Sequence, residues 1–297
     1  MTRILAFLAL TALALPAAAL DVFACEPEWA ALTEELAGAR ARVRSATTAL
    51  QDPHHIQARP SLIAQLRRAD LVVCTGAGLE AGWLPVLQRR ANNPKVLAGR
   101  AGYFEAAAHV RLLDVPARLD RAEGDIHPQG NPHLHTDPRN VLQVARALAQ
   151  RLAAVDPPGA PTYRAHLEDF EGRWRAAMAR WERSMAELRG LPVVTQHRGW
   201  VYLIDWLGLR EVACLEPKPG IPPSSAHLGE VLRRLEEEPA RMVIRAAYQE
   251  PRAAQWLAQR TGLPIVVLPY TVGGSDGAGD LFGLFDETMR RLRGAAR

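Results

Sequence analysis

Residues 163–189 read YRAHLEDFEGRWRAAMARWERSMAELR. Apolar side chains recur in this stretch at every third or fourth position, namely at Leu167, Phe170, Trp174, Met178, Trp181, Met185 and Leu188. That spacing predicts one long helix with an apolar stripe, ended by Gly190. At 1.5 Å per residue the helix spans roughly 40 Å, enough to run the length of two lobes. The methionines and tryptophans of the stripe indicate core packing rather than a cofactor site.

Short β-branched runs alternate with helical stretches on both sides of this helix. The runs lie at about 20–26, 41–48, 70–75 and 94–98, and again at about 191–196, 210–215, 241–246 and 264–270. This alternation favours mostly parallel sheets, and 297 residues exceed one comfortable core. We therefore predict an α/β fold of two lobes, each a mostly parallel four-stranded sheet flanked by helices. The predicted divisions are an N-terminal lobe (20–160), a connecting helix (161–190) and a C-terminal lobe (191–297).

Residues 1–19 have the features of a secretory signal. Arg3 supplies the charged start, residues 4–15 form the apolar run, and three alanines at 17–19 form a small-residue cleavage site. The apolar run is too short to span a membrane, so we expect a soluble, exported protein in the periplasm that begins near Leu20. The formal net charge of +4 is mild and dispersed, which argues against a nucleic-acid partner.

The chain contains three cysteines, which in an exported protein allow one disulfide and one remaining thiol. Cys25 ends the apolar run 20–24 and Cys74 ends the run 70–73, so both lie at the same end of predicted parallel strands. This position predicts a Cys25–Cys74 disulfide and leaves Cys214 unpaired. The alternative is that all three are small buried thiols.

Three histidines lie in or beside probable loops: His54, His133 and His197. Ligands of open α/β sheets bind beyond the carboxyl ends of the strands. His54 and His197 each follow a predicted strand, and Asp276 follows another within the Gly-rich turn 273–277. Imidazole and carboxylate are zinc ligands, so these residues predict a metal site in the cleft between the lobes.

Four motifs follow one another along the chain: PHHIQARPS (53–61) with ADLVV (69–73) and GAGLE (76–80), NPHLHTDP (131–138), TQH (195–197) with Tyr202 and Gly208-Leu209, and LEP (215–217). Together they resemble the metal motifs of the periplasmic zinc- and manganese-binding proteins of ABC importers. His135 stands where that family usually has an aromatic residue. The resemblance covers essentially the whole mature chain, and the order of the four motifs makes it specific.

The resemblance implies two lobes bridged by a long helix, with a metal held by His54, His133, His197 and a carboxylate from the C-terminal lobe. Asp276 or Asp280 could supply that carboxylate. Asp280 precedes the last predicted helix and could instead be its N-cap, so Asp276 is favoured.

Manganese members of the family place a carboxylate at the third ligand position, where this chain has His197. Three imidazoles and one carboxylate are a nitrogen-rich set suited to Zn²⁺, although copper or nickel would also tolerate it. The resemblance further implies a monomer that delivers zinc to the membrane permease of an ABC importer. It leaves open whether a periplasmic zinc chaperone delivers the metal.

His127 and His135 flank His133 on a segment containing Gly and Pro, 123–135. The family often has a His-rich loop here that is thought to collect metal. We hypothesise a transient metal-capture role for His127 and His135, with ordinary solvated loop residues as the alternative.

Two other classes of function compete with metal transport. The sequence HLHTD at 133–137 matches the first part of the motif of metallo-β-lactamase-like zinc hydrolases, which would use His133 and His135. The match stops at Pro138, and Asp137-Pro138 is a strong helix start. A non-metal binding module such as an adhesin would leave the loop histidines unexplained. We therefore predict a binding protein and not an enzyme.

Overall fold

The computed structural model describes residues 19–116, 124 and 127–297. Apart from Ala19, the predicted signal segment 1–19 lies outside the described residues. Within the described part of the chain, none of the helices combines the length and apolar character needed to cross a membrane.

The N-terminal lobe is built on a four-stranded parallel sheet with the strand order β2-β1-β3-β4. Its elements are β1 (Leu20–Ala24), α1 (Pro27–Ala37), β2 (Ala41–Ser45), α2 (Pro60–Arg68), β3 (Leu71–Cys74), α3 (Leu84–Ala91), β4 (Tyr103–Glu105) and α4 (Pro138–Val155).

A long helix, α5 (Ala160–Met185), leads to the C-terminal lobe. That lobe contains β5 (Pro192–Thr195), α6 (Val201–Leu207), β6 (Arg210–Cys214), α7 (Ser225–Glu237), β7 (Met242–Ala246), α8 (Arg252–Thr261), β8 (Ile265–Leu268) and α9 (Leu281–Ala296). Its sheet is also parallel, with the order β6-β5-β7-β8, so the two lobes share one topology. The predicted fold class is confirmed.

The fourth strand of the N-terminal lobe was predicted at the wrong place. Residues 94–96 form a 3-10 turn, because Pro94 has no N–H to donate and the Asn93 side chain accepts from the backbone of Lys95. Val96 is fully buried, so its apolar character serves packing rather than strand formation. The strand is β4, whose three residues are too few to show an alternating pattern.

Helix α5 packs against both lobes. Its buried stripe includes Phe170, Trp174 and Trp181, and it contacts α1 and α4 of the first lobe and α9 of the second. The Trp174 indole donates to the carbonyl of Pro138 at the start of α4, at 2.9 Å. The Trp181 indole donates to the Asp286 carboxylate on α9, at 2.6 Å. One continuous hydrophobic core therefore runs through both lobes.

The structure contains the Cys25–Cys74 disulfide predicted from the sequence. Cys25 directly follows β1 and Cys74 ends β3, and because these strands pair in parallel the two Cα atoms lie 4.8 Å apart. Both cysteines are fully buried. Cys214 remains a partly buried free thiol, and burial raises its pKa to about 12.

Two buried glutamates lie beside this disulfide. Glu80 accepts from the backbone N–H of Thr75 at 2.8 Å, and Glu26 accepts from the Thr75 hydroxyl at 3.1 Å. Burial raises the pKa of Glu80 to about 7. Burial, and then repulsion from Glu80, raises the pKa of Glu26 well above its ordinary value. The pair therefore keeps a proton at pH values where exposed carboxyls have lost theirs.

Removal of the disulfide should destabilise the protein. A double Cys25→Ala, Cys74→Ala variant should lose about 3 to 4 kcal/mol of unfolding free energy, because the bridge joins residues with a sequence separation of 49 and so constrains the unfolded chain. Urea denaturation of zinc-free protein measures the loss. Cys214→Ala is the control and should lose much less. Equal losses in the two variants would contradict a bridging role.

The glutamate pair should make stability depend on pH. Between pH 4.5 and 7 the unfolded chain releases the proton that the folded pair retains, so stability falls as pH rises and is greatest below the unfolded pKa. Glu80→Gln should reduce this fall in unfolding free energy by roughly 2 to 3 kcal/mol. Urea denaturation of zinc-free protein at pH 5, 6 and 8 tests it, with exposed Glu236→Gln as the control. If the unfolding free energies of wild type and Glu80→Gln depended on pH in the same way, the raised pKa of Glu80 would be refuted.

Candidate metal centre

His54 lies in the loop between β2 and α2, where Asp52 contacts both its backbone and its ring. The Asp52 carboxylate accepts from the backbone N–H of His54 at 3.0 Å and lies 2.7 Å from its ring Nδ1. Because Nδ1 is engaged by a carboxylate, the proton of a neutral ring belongs on Nδ1 and Nε2 is left as a donor to a metal.

His133 lies just before α4 and is almost completely buried, with 1% of its surface exposed. The Asn131 side chain accepts from its backbone N–H at 3.0 Å, and its carbonyl accepts from the Thr136 hydroxyl at 2.9 Å. Its Nδ1 contacts the hydroxyl of Tyr270, which comes from the other lobe. Burial, and then the nearby histidines, lowers the pKa of His133 well below the ordinary value. This imidazole is therefore neutral at neutral pH, as metal ligation requires.

His197 lies two residues after the end of β5, next to Gln196, and 7% of its surface is exposed. Its Nδ1 lies 2.7 Å from the carboxylate of Glu216, which follows β6. The backbone N–H of Gly220 donates to the same carboxylate oxygen at 2.9 Å and holds it in place. The arrangement repeats that of His54, since a carboxylate engages Nδ1 and leaves Nε2 available.

The three rings converge between the lobes. Their centroids are separated by 5.2 Å (His54 to His133), 5.2 Å (His133 to His197) and 5.9 Å (His54 to His197). The Nε2 atoms of His133 and His197 are 3.2 Å apart, and one ring nitrogen from each histidine lies within 4.8 Å of the other two. Tetrahedral zinc with Zn–N bonds of about 2.0–2.1 Å separates its donors by roughly 3.3 Å. The three imidazoles therefore have the spacing of a metal site.

The other predicted ligands are placed differently. His127 approaches the group, with its Nε2 3.3 Å from the Nε2 of His54. Asp276 is exposed and is not part of the three-histidine group. Asp280 caps α9, accepting from the backbone N–H of Gly283 at 2.7 Å, which is the alternative role considered for it.

His135 is buried, with 2% of its surface exposed, and does not lie on the exposed loop that the sequence suggested. Its Nε2 lies 3.0 Å from the carbonyl oxygen of Tyr270, and its Nδ1 lies 3.2 Å from the carboxylate of Glu28. Thr271 donates to that same carboxylate. Since Tyr270 and Thr271 belong to the C-terminal lobe, His135 connects the two lobes beside the site.

Sequence reasoning missed the partners of the histidine rings. Asp52 could have been found, because an aspartate two residues before a histidine can bond both its backbone and its ring. Glu216 lies in the LEP motif at 215–217, but that motif does not indicate a contact with His197. Tyr270 gave no local signal, because its partner His133 is 137 residues away in the sequence.

Similarity to known proteins extends over both lobes. The family model described as "Zinc-uptake complex component A periplasmic" matches residues 22–295. The zinc-binding lipoprotein AdcA of Streptococcus pneumoniae is 25% identical over 230 residues, 76% of this chain and 44% of AdcA. The manganese ABC transporter substrate-binding lipoprotein PsaA of Streptococcus anginosus is 25% identical over 151 residues, 51% of this chain and 47% of PsaA. The chain spans less than half the length of these relatives.

Solved structures share the fold. A crystal structure of ZnuA superposes with a TM-score of 0.78 at 21% identity, covering 94% of this chain and 100% of that one. The Cd-bound periplasmic metal binding protein from Candidatus Liberibacter asiaticus gives a TM-score of 0.76 at 16% identity, covering 93% and 99%. Because the family match extends over both lobes and the connecting helix, the chain belongs to the family described as zinc-uptake complex component A, periplasmic.

Proposed function

We propose that this protein captures zinc in the cleft between its lobes and delivers it to the membrane permease of an ABC importer. The convergence of His54, His133 and His197 carries the proposal, because three imidazoles from separate segments meet at the spacing of zinc ligands. The family description and the zinc-binding relative support zinc uptake as the purpose of this site.

Zinc is proposed over manganese because of the donor atoms. Manganese favours oxygen ligands, whereas the three groups that converge here offer nitrogen. The similar proteins include both zinc-binding and manganese transport lipoproteins, so relatedness alone does not select the metal. Copper and nickel also accept imidazole, and competition between metals is therefore part of the test.

The fourth ligand is proposed to be a carboxylate, with Asp276 as the sequence-based choice. Asp276 lies outside the three-histidine group, so this assignment requires its carboxylate to move toward the histidines when zinc binds. His127 is proposed as an auxiliary donor that hands zinc to His54, on the strength of the 3.3 Å between their Nε2 atoms.

The geometry argues against the zinc hydrolase alternative. His135 contacts Glu28, and the Asp137 carboxylate accepts from the backbone and guanidinium of Arg139 at the start of α4. These side chains of the hydrolase-like motif are thus engaged away from the three-histidine group. An adhesin-like module would give no reason for three imidazoles to meet in a buried cleft.

We propose the periplasm as the site of action, from the predicted signal and the family description.

Loss of any of the three histidines should abolish tight zinc binding. Replacement of a residue that merely supports a ligand costs about 10- to 100-fold in affinity, so His54→Ala, His133→Ala and His197→Ala should each lose more than about 100-fold. Competition with a zinc chelator measures the dissociation constant. His55→Ala is the matched control, because His55 is the exposed neighbour of His54. Unchanged affinity in any two of the three variants would remove the proposed site.

The same titration distinguishes the two candidate carboxylates. Asp276→Ala should weaken zinc binding, whereas Asp280→Ala should lower the stability of α9 by about 1 kcal/mol and leave zinc affinity unchanged. If only Asp280→Ala weakens zinc binding, Asp276 is the wrong choice.

Zinc should stabilise the folded protein in a pH-dependent manner. Metal binds the folded cleft and not the open chain, so zinc should raise the unfolding temperature at pH 7.5. Protons compete with zinc for imidazole nitrogen, whose ordinary pKa is about 6.5, so the gain should shrink as the pH falls below about 6. Because burial lowers the pKa of His133, the loss should become complete only at a lower pH. Thermal unfolding with and without zinc at several pH values checks this. A gain that persisted at pH 4.5 would contradict ligation by histidine.

A further inference from the structure

A cavity of about 590 Å³ leads from the protein surface to the three-histidine group. His54 and His197 form part of its inner wall. Its outer end includes the exposed residues Pro222, Glu250 and Arg252 of the C-terminal lobe. A zinc ion with a shell of about six waters needs roughly 180 Å³, at about 30 Å³ per water. The cavity therefore has room for a hydrated zinc ion.

The charged groups of the cavity wall give it a negative potential. Among the described residues of the wall, carboxylates come from Asp52, Glu216 and Glu250. They outnumber the guanidinium of Arg252. Burial, and then repulsion from Asp52 and Glu216, raises the pKa of Tyr248 well above its ordinary value, so the field of these carboxylates reaches this phenol in the wall. Since the chain as a whole has a formal net charge of +4, the negative potential is a local property of the cavity.

The apolar part of the wall strengthens this field. Leu228, Tyr248 and Trp256 line the cavity beside the carboxylates. Walls of low dielectric around charges of one sign focus the electric field, and such clefts raise the association rates of oppositely charged ligands by about 10- to 1000-fold. The combination of carboxylates and aromatic rings is therefore suited to attracting a cation.

Glu250 is held at the outer end of the cavity by its backbone. Its carbonyl accepts from Nε2 of Gln196, the neighbour of His197, at 2.6 Å. The Glu250 side chain is 66% exposed, and the Arg252 guanidinium lies 3.5 Å from its carboxylate. This exposed ion pair is weak, and the other two carboxylates of the wall engage histidine rings. Glu250 is therefore the carboxylate placed to act first on an approaching ion.

We propose that zinc enters the cleft through this cavity as a hydrated cation, attracted by the carboxylates of the wall with Glu250 at the entrance. The inference rests on the proposed function, because the three histidines capture the ion at the inner end. Waters leave the ion as imidazole nitrogens replace them. Anionic chelates of zinc are repelled by the same carboxylates, so the hydrated cation is the form that the cleft takes up.

Zinc-binding kinetics of the full chain test the role of Glu250. Stopped-flow transfer of zinc to an excess of fluorescent chelator gives the dissociation rate, equilibrium competition gives Kd, and their quotient gives the association rate. Glu250→Gln should lower the association rate about fourfold at low salt, the factor for one charge acting on a divalent cation at roughly 10 Å in water. Arg252→Gln should raise it by a similar factor. Both changes should shrink at high salt, and neither should alter the dissociation rate.

Glu236→Gln is the matched control for charge, because Glu236 is exposed on α7 and does not line the cavity. A second variant tests the route itself. Ala253→Trp narrows the cavity without changing its charge, so it should slow association and dissociation by the same factor and leave Kd unchanged. Gln259→Trp, on the exposed surface of the same helix, is its control and should behave as wild type.

The outcomes separate this inference from the proposed function. An association rate in Glu250→Gln equal to that of wild type at low salt would overturn the inference and leave zinc capture intact. A change confined to the dissociation rate would also overturn it, because Glu250 would then act on the bound ion. Unchanged rates in Ala253→Trp would show that zinc enters elsewhere. Failure of the wild-type protein to bind zinc would refute both proposals.

Discussion

The packing of α5 between the two lobes is the constraint on which the rest of the structure depends. Its aromatic stripe is buried against helices of both lobes, and the indoles of Trp174 and Trp181 donate to α4 and α9 respectively. One hydrophobic core therefore continues from the first sheet to the second. Burial of these large aromatic side chains stabilises the packed arrangement by roughly several kcal/mol. The two lobes are therefore held in one relative position. Histidines from different lobes can meet only because this position is held.

The candidate metal site depends on that position through polar contacts of its histidine rings. Carboxylates engage the Nδ1 atoms of His54 and His197, and a phenol from the opposite lobe engages that of His133. Such partners orient the ring and leave Nε2 toward the metal. The Glu28 carboxylate and the carbonyl of Tyr270 extend the network across the cleft through His135. The polar contacts and the apolar core therefore both hold the two lobes together where the lobes meet.

Much of the fold could be predicted from the sequence. The three- to four-residue spacing along α5 is a local property of a helix that buries one face, and it is visible without any tertiary information. The strand ends at Cys25 and Cys74 could be aligned because parallel strands end at a common edge, which was enough to predict the disulfide. The positions of His54 and His197 after strands followed from the same rule. Strand β4 could not be predicted at its true position, because three residues are too few to show an alternating pattern.

The sequence by itself determined the α/β class, the bridging helix, the disulfide and the three histidines of the candidate site, because periodicity and strand ends are encoded in short segments. Only the tertiary structure decided which atoms meet. It placed Tyr270 against His133, buried His135 against Glu28, and left Asp276 exposed outside the histidine group. Contacts of this kind join segments more than a hundred residues apart, and their geometry depends on how the two lobes pack rather than on any local pattern.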